Sequence, residues 1–447
     1  MIGQQGAGAK EGGEPSMSYA EACEALYGAL PMFQRTGPAA YKIDLSGTRA
    51  VMAFLGRPDL QMPPVIHVAG TNGKGSVCTM VAHALQLAGH RVGLFTSPHL
   101  VDLRERIRVN GACIPEDKVT AMVADFLARS EGAFPSGPPS FFEMTFGMAC
   151  LHFVAEQCDV VVLETGMGGR LDSTNIFAKP LVTAITNVGL DHQAFLGPDI
   201  RSIAAEKAGI VKDGVPVVMG RMRPEAQSVV LTRALRVGAE VHYAPVADRT
   251  AEATAAHQGS PYRAENEATA LKVLEVLGAE HPAFRLSEQA ARVGVQSAVW
   301  PGRWQWLEET AQGARVLVDC AHNADGMAEW LRGFAALGVE PAKVQLVFGT
   351  VSDKDLSAIQ AVLPRDFGGY CWCAADIPRA LSAVDLQASM ADWGPSVAHE
   401  SVADAFAAAC HAAPSGGLVA VVGSIFVAAE ALAAAGQAIC QSAESSD

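Results

Sequence analysis

The sequence predicts an α/β protein, with an N-terminal phosphate-loop domain built on a doubly wound, mostly parallel sheet and a smaller C-terminal α/β, Rossmann-like domain. Three observations carry this. Short apolar runs alternate with helical patterns along most of the chain. The stretch 65–76, VIHVAGTNGKGS, joins an apolar run to a glycine loop and then to a helical pattern. At 447 residues the chain is too long for one ordinary core, so two domains are expected.

The glycine stretch organises the rest. Val65-Ile66-His67-Val68-Ala69 has the character of a buried strand, and Val77, Met80, Val81, Ala84, Leu85 and Leu87 recur at helical spacing. Between them, glycines let backbone N–H groups turn inward at a helix N-terminus, and Lys74 can reach terminal phosphates. The spacing departs from G-x-x-x-x-G-K-[ST], because Gly75 separates Lys74 from Ser76.

The elements follow in order. Residues 1–16 are Gly-rich and polar, predicting a disordered tail without the apolar core of a signal peptide. Ser18 caps a helix over 19–30, with Glu21 completing a capping box. A loop over 41–47 and a helix over 48–55 lead to the first strand. A second strand, 91–95, ends in Thr96-Ser97-Pro98-His99-Leu100. Residues 104–111 form a charged strand running into a turn; taken alone, a solvated edge accounts for them equally well. A helix over 116–129, a Gly/Pro-rich stretch over 131–139 and an apolar helix from Phe141 come next. Strand 159–164 ends in Glu164, a carboxylate at a parallel strand end beside a phosphate loop, where a Mg²⁺ ligand belongs. Strand 181–186 delivers Gly189-Leu190-Asp191-His192 to the same edge. A helix through Lys207 precedes strand 215–219; 240–261 is polar and weakly patterned; helices cover 266–277 and 286–293.

Trp300-Pro301-Gly302-Arg303 punctuates the chain and a fresh alternation begins, with strands 316–320, 344–348, 369–374 and 418–422 and helices 326–337 and 356–363. The expected domains are therefore 17–299 and 300–447, with a site between them. Residues 416–436 are apolar, but Gly423-Ser424 and Glu430 interrupt them, which argues for a core strand and helix and against a membrane span.

Net charge is −14, from 47 acidic and 33 basic residues, which argues against a sequence-independent grip on nucleic acid or anionic membrane. The ten cysteines are scattered, with no C-x-x-C pair, as expected of buried free thiols in a reducing cytoplasm.

GTNGKGS, TSPHL…ERIRVNG, ETGMGGRLDSTN, GLDH…EKAGI, WPGR and DCAHN occur in one order across residues 18–430. Together they resemble the folylpolyglutamate synthase/dihydrofolate synthase family of Mur-type ADP-forming amide ligases. The resemblance implies that ATP phosphorylates a substrate carboxylate and that the amine of L-glutamate attacks the acyl phosphate. Phosphorylation supplies the leaving group that a carboxylate lacks, and Mg²⁺ with lysine neutralises the developing charge.

The resemblance also implies roles. Lys74 and the amides of Asn72, Gly73, Gly75 and Ser76 hold the ATP phosphates. Ser97 and Glu164 ligate one Mg²⁺, and Glu164 with His192 a second. Lys207 matches a lysine carbamylated in the family, although an ordinary helix lysine paired with Glu206 or a phosphate also accounts for it. Asn266 matches an adenine-side asparagine and Arg303 a phosphate-binding arginine. Asp319 and His322 match residues that meet nucleotide and glutamate on domain closure. Ser424 resembles a glutamate-site serine, and a helix N-cap accounts for it nearly as well.

Ile43-Asp44-Leu45, Ser140 with Phe142, and Leu171-Asp172-Ser173 stand where bifunctional members hold dihydropteroate. An aromatic can stack on a flat pterin and a carboxylate can accept its hydrogens, while core packing accounts for one of Phe141 and Phe142. Members limited to polyglutamylation differ in the first and last of these stretches, so the bifunctional type, acting on dihydropteroate and tetrahydrofolate, is expected. A monofunctional synthase or another Mur-type ligase is the enzymatic alternative, and an ATP-driven switch without chemistry the non-enzymatic one. Two stretches depart from the family: Pro261-Tyr262-Arg263-Ala264-Glu265-Asn266 lacks the usual Gly-x-x-Gln, and 349–352 varies ahead of Asp353-Lys354-Asp355. A cytoplasmic monomer is expected.

Overall fold

The computed structural model describes residues 17–31, 44–246, 260, 262–352, 354–437 and 440; the expectations for the tail 1–16 and for Ile43 lie outside these residues. The first sheet contains β1 (Val65–Ala69), β2 (Val92–Phe95), β3 (Ile107–Val109), β4 (Ala112–Cys113), β5 (Val160–Glu164), β6 (Val182–Ile185), β7 (Val217–Met219) and β8 (Val241–Tyr243). Their order is β4-β3-β2-β5-β1-β6-β7-β8. Only the β2–β3–β4 pairs are antiparallel. β1 and β5 are buried along their whole length, as strands covered on both faces must be.

β1 lies between β5 and β6, and the chain leaves it in one direction for β2 and later returns on its other side with β6. That reversal opens a crevice beyond the carboxyl ends of these strands. Pairing of Val68 with Glu164 sets the Glu164 carboxylate beside the loop that follows β1. The helix Lys74–Leu87 runs back beneath the sheet and is covered by Arg263–Glu280 and Glu288–Ser297. The last of these packs closely through Gly294, where an added Cβ would sit 2.5 Å from the Ala84 Cα. Ser18 and Glu21 cap the helix Tyr19–Ala29 reciprocally, as the sequence predicts, and Ser140 and Glu143 do the same for Phe141–Ala155.

The second sheet holds β9 (Gln305–Leu307), β10 (Arg315–Val318), β11 (Val344–Phe348), β12 (Gly369–Trp372), β13 (Ser396–Ala398) and β14 (Leu418–Val422) in the order β13-β12-β11-β14-β10-β9. All pairs are parallel except β9 with β10. One face packs on Trp330, Phe348, Tyr370 and Trp372, the other on Val347, Val419 and Leu432.

Several expectations need correction. The charged run 104–111 is not a solvated edge: a 3-10 turn, Leu103–Arg106, leads into β3, and both Arg106 and Arg108 are buried. Their guanidinium groups lie over the rings of Phe141 and Trp300, which shield them from water. β8 stands in a segment without visible patterning, because a three-residue edge strand leaves almost no periodic signal. β9 and β13, equally short and at sheet edges, are invisible in the sequence for the same reason. Asn266 lies inside its helix rather than at the start. Cys113 and Cys440 form a disulfide across 327 residues, against the expectation of free thiols; eight other cysteines are free.

Candidate active site

The crevice above β1 opens into a cleft of about 290 Å³ bordered by both domains. Its floor is the phosphate loop. Gly73 has φ +80° and directly precedes the helix Lys74–Leu87, with no side chain capping the first turn. The first amides of that helix therefore face the cleft unclaimed by a cap, the arrangement that favours a bound phosphate. An added Cβ at Gly73 would stand 2.3 Å from Asn266 Oδ1, so Asn266 presses against the loop from the far side. The loop is tied to the end of β6: Asn72 N–H donates to Asn187 Oδ1 at 2.9 Å, and Thr186 Oγ1 donates to the Asn72 carbonyl at 2.6 Å. Lys74 Nζ donates to the Thr71 carbonyl at 3.1 Å, folded back over its own loop.

On one side stand Glu164 and Ser97, whose N–H donates to Glu164 Oε2 at 3.0 Å. Burial pushes the Glu164 carboxyl up, against Lys74, the Ser97 amide, Arg303 and Arg106. A buried carboxylate beside a serine is the oxygen donor set that Mg²⁺ takes together with substrate phosphates. Among the described residues no three His, Cys, Asp or Glu side chains gather closely enough to hold a metal, so each expected Mg²⁺ position rests on a pair. His192 has φ +51° and starts the short helix Gln193–Leu196. Burial pushes its imidazole down to about 4, with Lys354, His322 and Lys74 adding to that and Asp191 opposing, so it stands neutral at physiological pH.

Lys207 reaches the same place from the helix Ile200–Ala208. It is 3% exposed, and its Nζ donates to the Gly70 carbonyl at 2.9 Å. Burial first, and the Lys74 charge second, push its ammonium down to about 7. A substantial part of this amine is therefore uncharged near neutrality, which is the nucleophilic form.

The pterin-side expectations also meet here. Asp44, Ser140, Phe142, Leu171, Asp172 and Ser173 line the cleft, whereas Leu45 does not. Asp172 is largely committed elsewhere: its Oδ1 accepts from Thr174 N–H and Oγ1, and its Oδ2 from Met167 N–H. Burial pushes its carboxyl up, and those bonds oppose the rise. Ser140 and Ser424 line the cleft while serving as helix N-caps, so Ser424 is a cap and a cleft residue at once.

From the second domain, Arg303 and His322 border the cleft. Asp319 of the second domain and Asn266 of the first do not. The Asp319 carboxylate instead accepts from the Tyr262 hydroxyl, from Trp304 N–H at 2.7 Å and from Ala321 N–H at 2.8 Å. Among the further residues at the cleft to which sequence reasoning gave no role are Arg106, Asp191, Lys354 and Arg379. Burial pushes Arg106 down to about 10, still cationic at neutral pH, and its Nε donates to His99 Nδ1 at 2.7 Å. Asp191 and Lys354 stand in plain view within GLDH and Asp-Lys-Asp, but nothing local marks them as partners.

Comparison with known proteins agrees with this geometry. The family model for the Mur ligase middle domain matches residues 68–232, and that for the Mur ligase glutamate ligase domain matches 302–425. A dihydrofolate synthase/folylpolyglutamate synthase of Bacillus subtilis is 34% identical over 392 residues, covering 83% of this chain and 88% of the relative. One from Escherichia coli is 36% identical over 382 residues, covering 83% and 86%. Among solved structures, Escherichia coli FolC in complex with DHPP and ADP superimposes with a TM-score of 0.77 at 31% identity, covering 94% of this chain and 98% of the other. A Mycobacterium tuberculosis folylpolyglutamate synthase complexed with ADP and AMPPCP gives 0.76 at 28%, covering 88% and 96%.

Proposed function

Since this chain belongs to the dihydrofolate synthase/folylpolyglutamate synthase family of Mur ligases, we propose that it joins L-glutamate to dihydropteroate, forming dihydrofolate, and to tetrahydrofolate, extending a glutamate chain. ATP is the energy source, and ADP and phosphate are the by-products. One observation carries the proposal: a single cleft brings together the phosphate loop, the Glu164–Ser97 pair, the buried amine of Lys207, a wall with Phe142 and Asp44, and the cations of a second domain.

The chemistry follows from those groups. The amides at the start of the helix Lys74–Leu87, with Lys74 and Arg303, hold the polyphosphate and spread the charge of its transferring end. Glu164, Ser97 and His192 are the groups that would hold Mg²⁺, which when bound neutralises charge on the phosphates. Phe142 offers a face for stacking the pterin, and Asp44 an acceptor. The acceptor carboxylate attacks the terminal phosphorus, ADP leaves, and the amine of glutamate then displaces phosphate from the acyl carbon. His322, Lys354 and Ser424 stand on the side from which the second domain presents that amine. Lys207, held against the Gly70 carbonyl with its charge suppressed, is suited to take up CO₂ as a carbamate and become an anion. The domain boundary falls between the helix Glu288–Ser297, which packs on the first domain, and β9 of the second sheet, and we place it at 299/300.

Among the described residues no helix is long and apolar enough to cross a membrane. We take the enzyme to be a cytoplasmic monomer, a reading that the eight free cysteines support and the Cys113–Cys440 bond does not. The test is ADP release with Mg-ATP, L-glutamate and either acceptor, with product masses determined. Glutamate added to both acceptors is expected. Addition to tetrahydrofolate alone would remove the pterin-side assignment and leave a monofunctional synthase.

A further inference from the structure

Three loops converge on one carboxylate. Asp191 lies on the loop after β6 in the first domain, immediately before His192. Its Oδ1 accepts from Lys354 Nζ at 2.6 Å, and its Oδ2 from Asn323 Nδ2 at 3.1 Å. His322 Nε2 stands 3.4 Å from the same Oδ2, while its Nδ1 is 2.9 Å from the Cys320 carbonyl. Asn323 and His322 belong to the loop after β10, and Lys354 to the loop after β11. The Asp191 and Lys354 side chains are 10% and 13% exposed, so the pair is shielded from the screening that weakens surface ion pairs. Asn323 has a second duty: its Oδ1 accepts from Gly326 N–H at 2.8 Å and caps the helix Ala324–Ala336.

We propose that Asp191 is a positioning residue that latches the second domain onto the phosphate-transfer side, fixing His322 and Lys354 at the cleft when the domains are closed. This deepens the ligase reading and rests on it for its kinetic consequence. An acyl phosphate and an amine held by different domains react only when both domains share one geometry, and a displacement of an ångström costs orders of magnitude in rate. Asp191 is suited to set that geometry because it carries His192 on its own loop and grips two loops of the opposite domain.

An exchange of side chains tests this. Asp191→Asn removes the charge and breaks the Asp–Asn pairing. Asn323→Asp keeps the helix cap but faces Asp191 with a second carboxylate. Together the two substitutions swap the pair: residue 191 then offers an amide to residue 323 and its carbonyl oxygen to Lys354. Each single variant is expected to lose about tenfold or more in kcat for glutamate-dependent ADP release, with KM for ATP within about twofold, and the double variant to recover most of it. Singles that match wild type, or a double no faster than the slower single, would overturn the proposal. Small-angle scattering of the full chain with Mg²⁺ and a non-hydrolysable ATP analogue reads closure without turnover. The singles are expected to be more open than wild type and the double to close again; four identical profiles would also overturn it. A wild-type chain with no glutamate-dependent ADP release would refute the ligase reading instead, and scattering alone would then decide the latch.

Discussion

Replacing Lys207 by methionine should make the protein more stable while removing its activity, and by an amount that depends on pH. In the folded chain burial lowers this ammonium from its ordinary value of 10.5 to about 7. Below both values lysine is protonated in either state, and folding must desolvate a charge. Between them the unfolded chain binds a proton that the folded chain does not, so stability rises with pH across that window. At about pH 6 the burden is about 5 kcal/mol, and at about pH 9 about 2 kcal/mol. Methionine has nearly the same length and carries no charge, but it leaves the Gly70 carbonyl without its donor, a loss of about 1 kcal/mol. Urea unfolding of both proteins in CO₂-depleted buffer should therefore favour the variant by about 4 kcal/mol at the lower pH and about 1 kcal/mol at the higher. A difference equal at both pH values would refute the assignment of a desolvated charge at this position. A less stable variant at about pH 6 would show that the lysine stabilises the fold. With bicarbonate present at neutral pH, turnover should fall at least about a hundredfold, since a group serving function is here a burden on stability.

Three other predictions bear on the same cleft. Gly73→Ala forces a side chain into a conformation with φ +80° and against Asn266, so KM for ATP should rise about tenfold or more in steady-state kinetics. Glu164→Gln keeps the shape but removes the buried carboxylate, and should lower glutamate-dependent ADP release by about two orders of magnitude or more and weaken its dependence on Mg²⁺ concentration. Asp44→Asn should raise KM for dihydropteroate about tenfold while leaving KM for ATP within about twofold, the outcome that follows from the acceptor-side role proposed for this cleft residue; equal effects on both would place it elsewhere.

What can be seen in the sequence is what short stretches decide for themselves. An apolar run, a glycine break and a helical pattern in succession over residues 65–87 are enough to announce the phosphate loop, because backbone freedom and helix polarity act locally. The reciprocal caps at Ser18 and Ser140 span three residues each, and Ser18 with Glu21 is legible for that reason. The carboxylate at the end of β5 is visible because an apolar run covered on both faces rarely closes on a charged side chain unless that charge has a task. Edge strands such as β8, β9 and β13 escape, since three residues with one face in solvent carry no period to detect.

Pairings between distant residues are settled only when the chain folds. Arg106 and Arg108 look like the face of a solvated strand, yet each is buried over an aromatic ring, Arg108 over Trp300 from the start of the second domain. Asp319 carries the right chemistry for a nucleotide contact, but its carboxylate is held by Tyr262 and two backbone amides. Asp191 and Lys354 are 163 residues apart and come from different sheets, and the Cys113–Cys440 bond spans 327 residues. The amino-acid sequence by itself determined the α/β alternation, the phosphate loop and the kinds of residue available for ligase chemistry. The tertiary structure alone decided which of those residues are free to face a substrate and which are spent on one another, because a buried polar or charged group takes whatever partner packing brings within reach, at whatever separation along the chain.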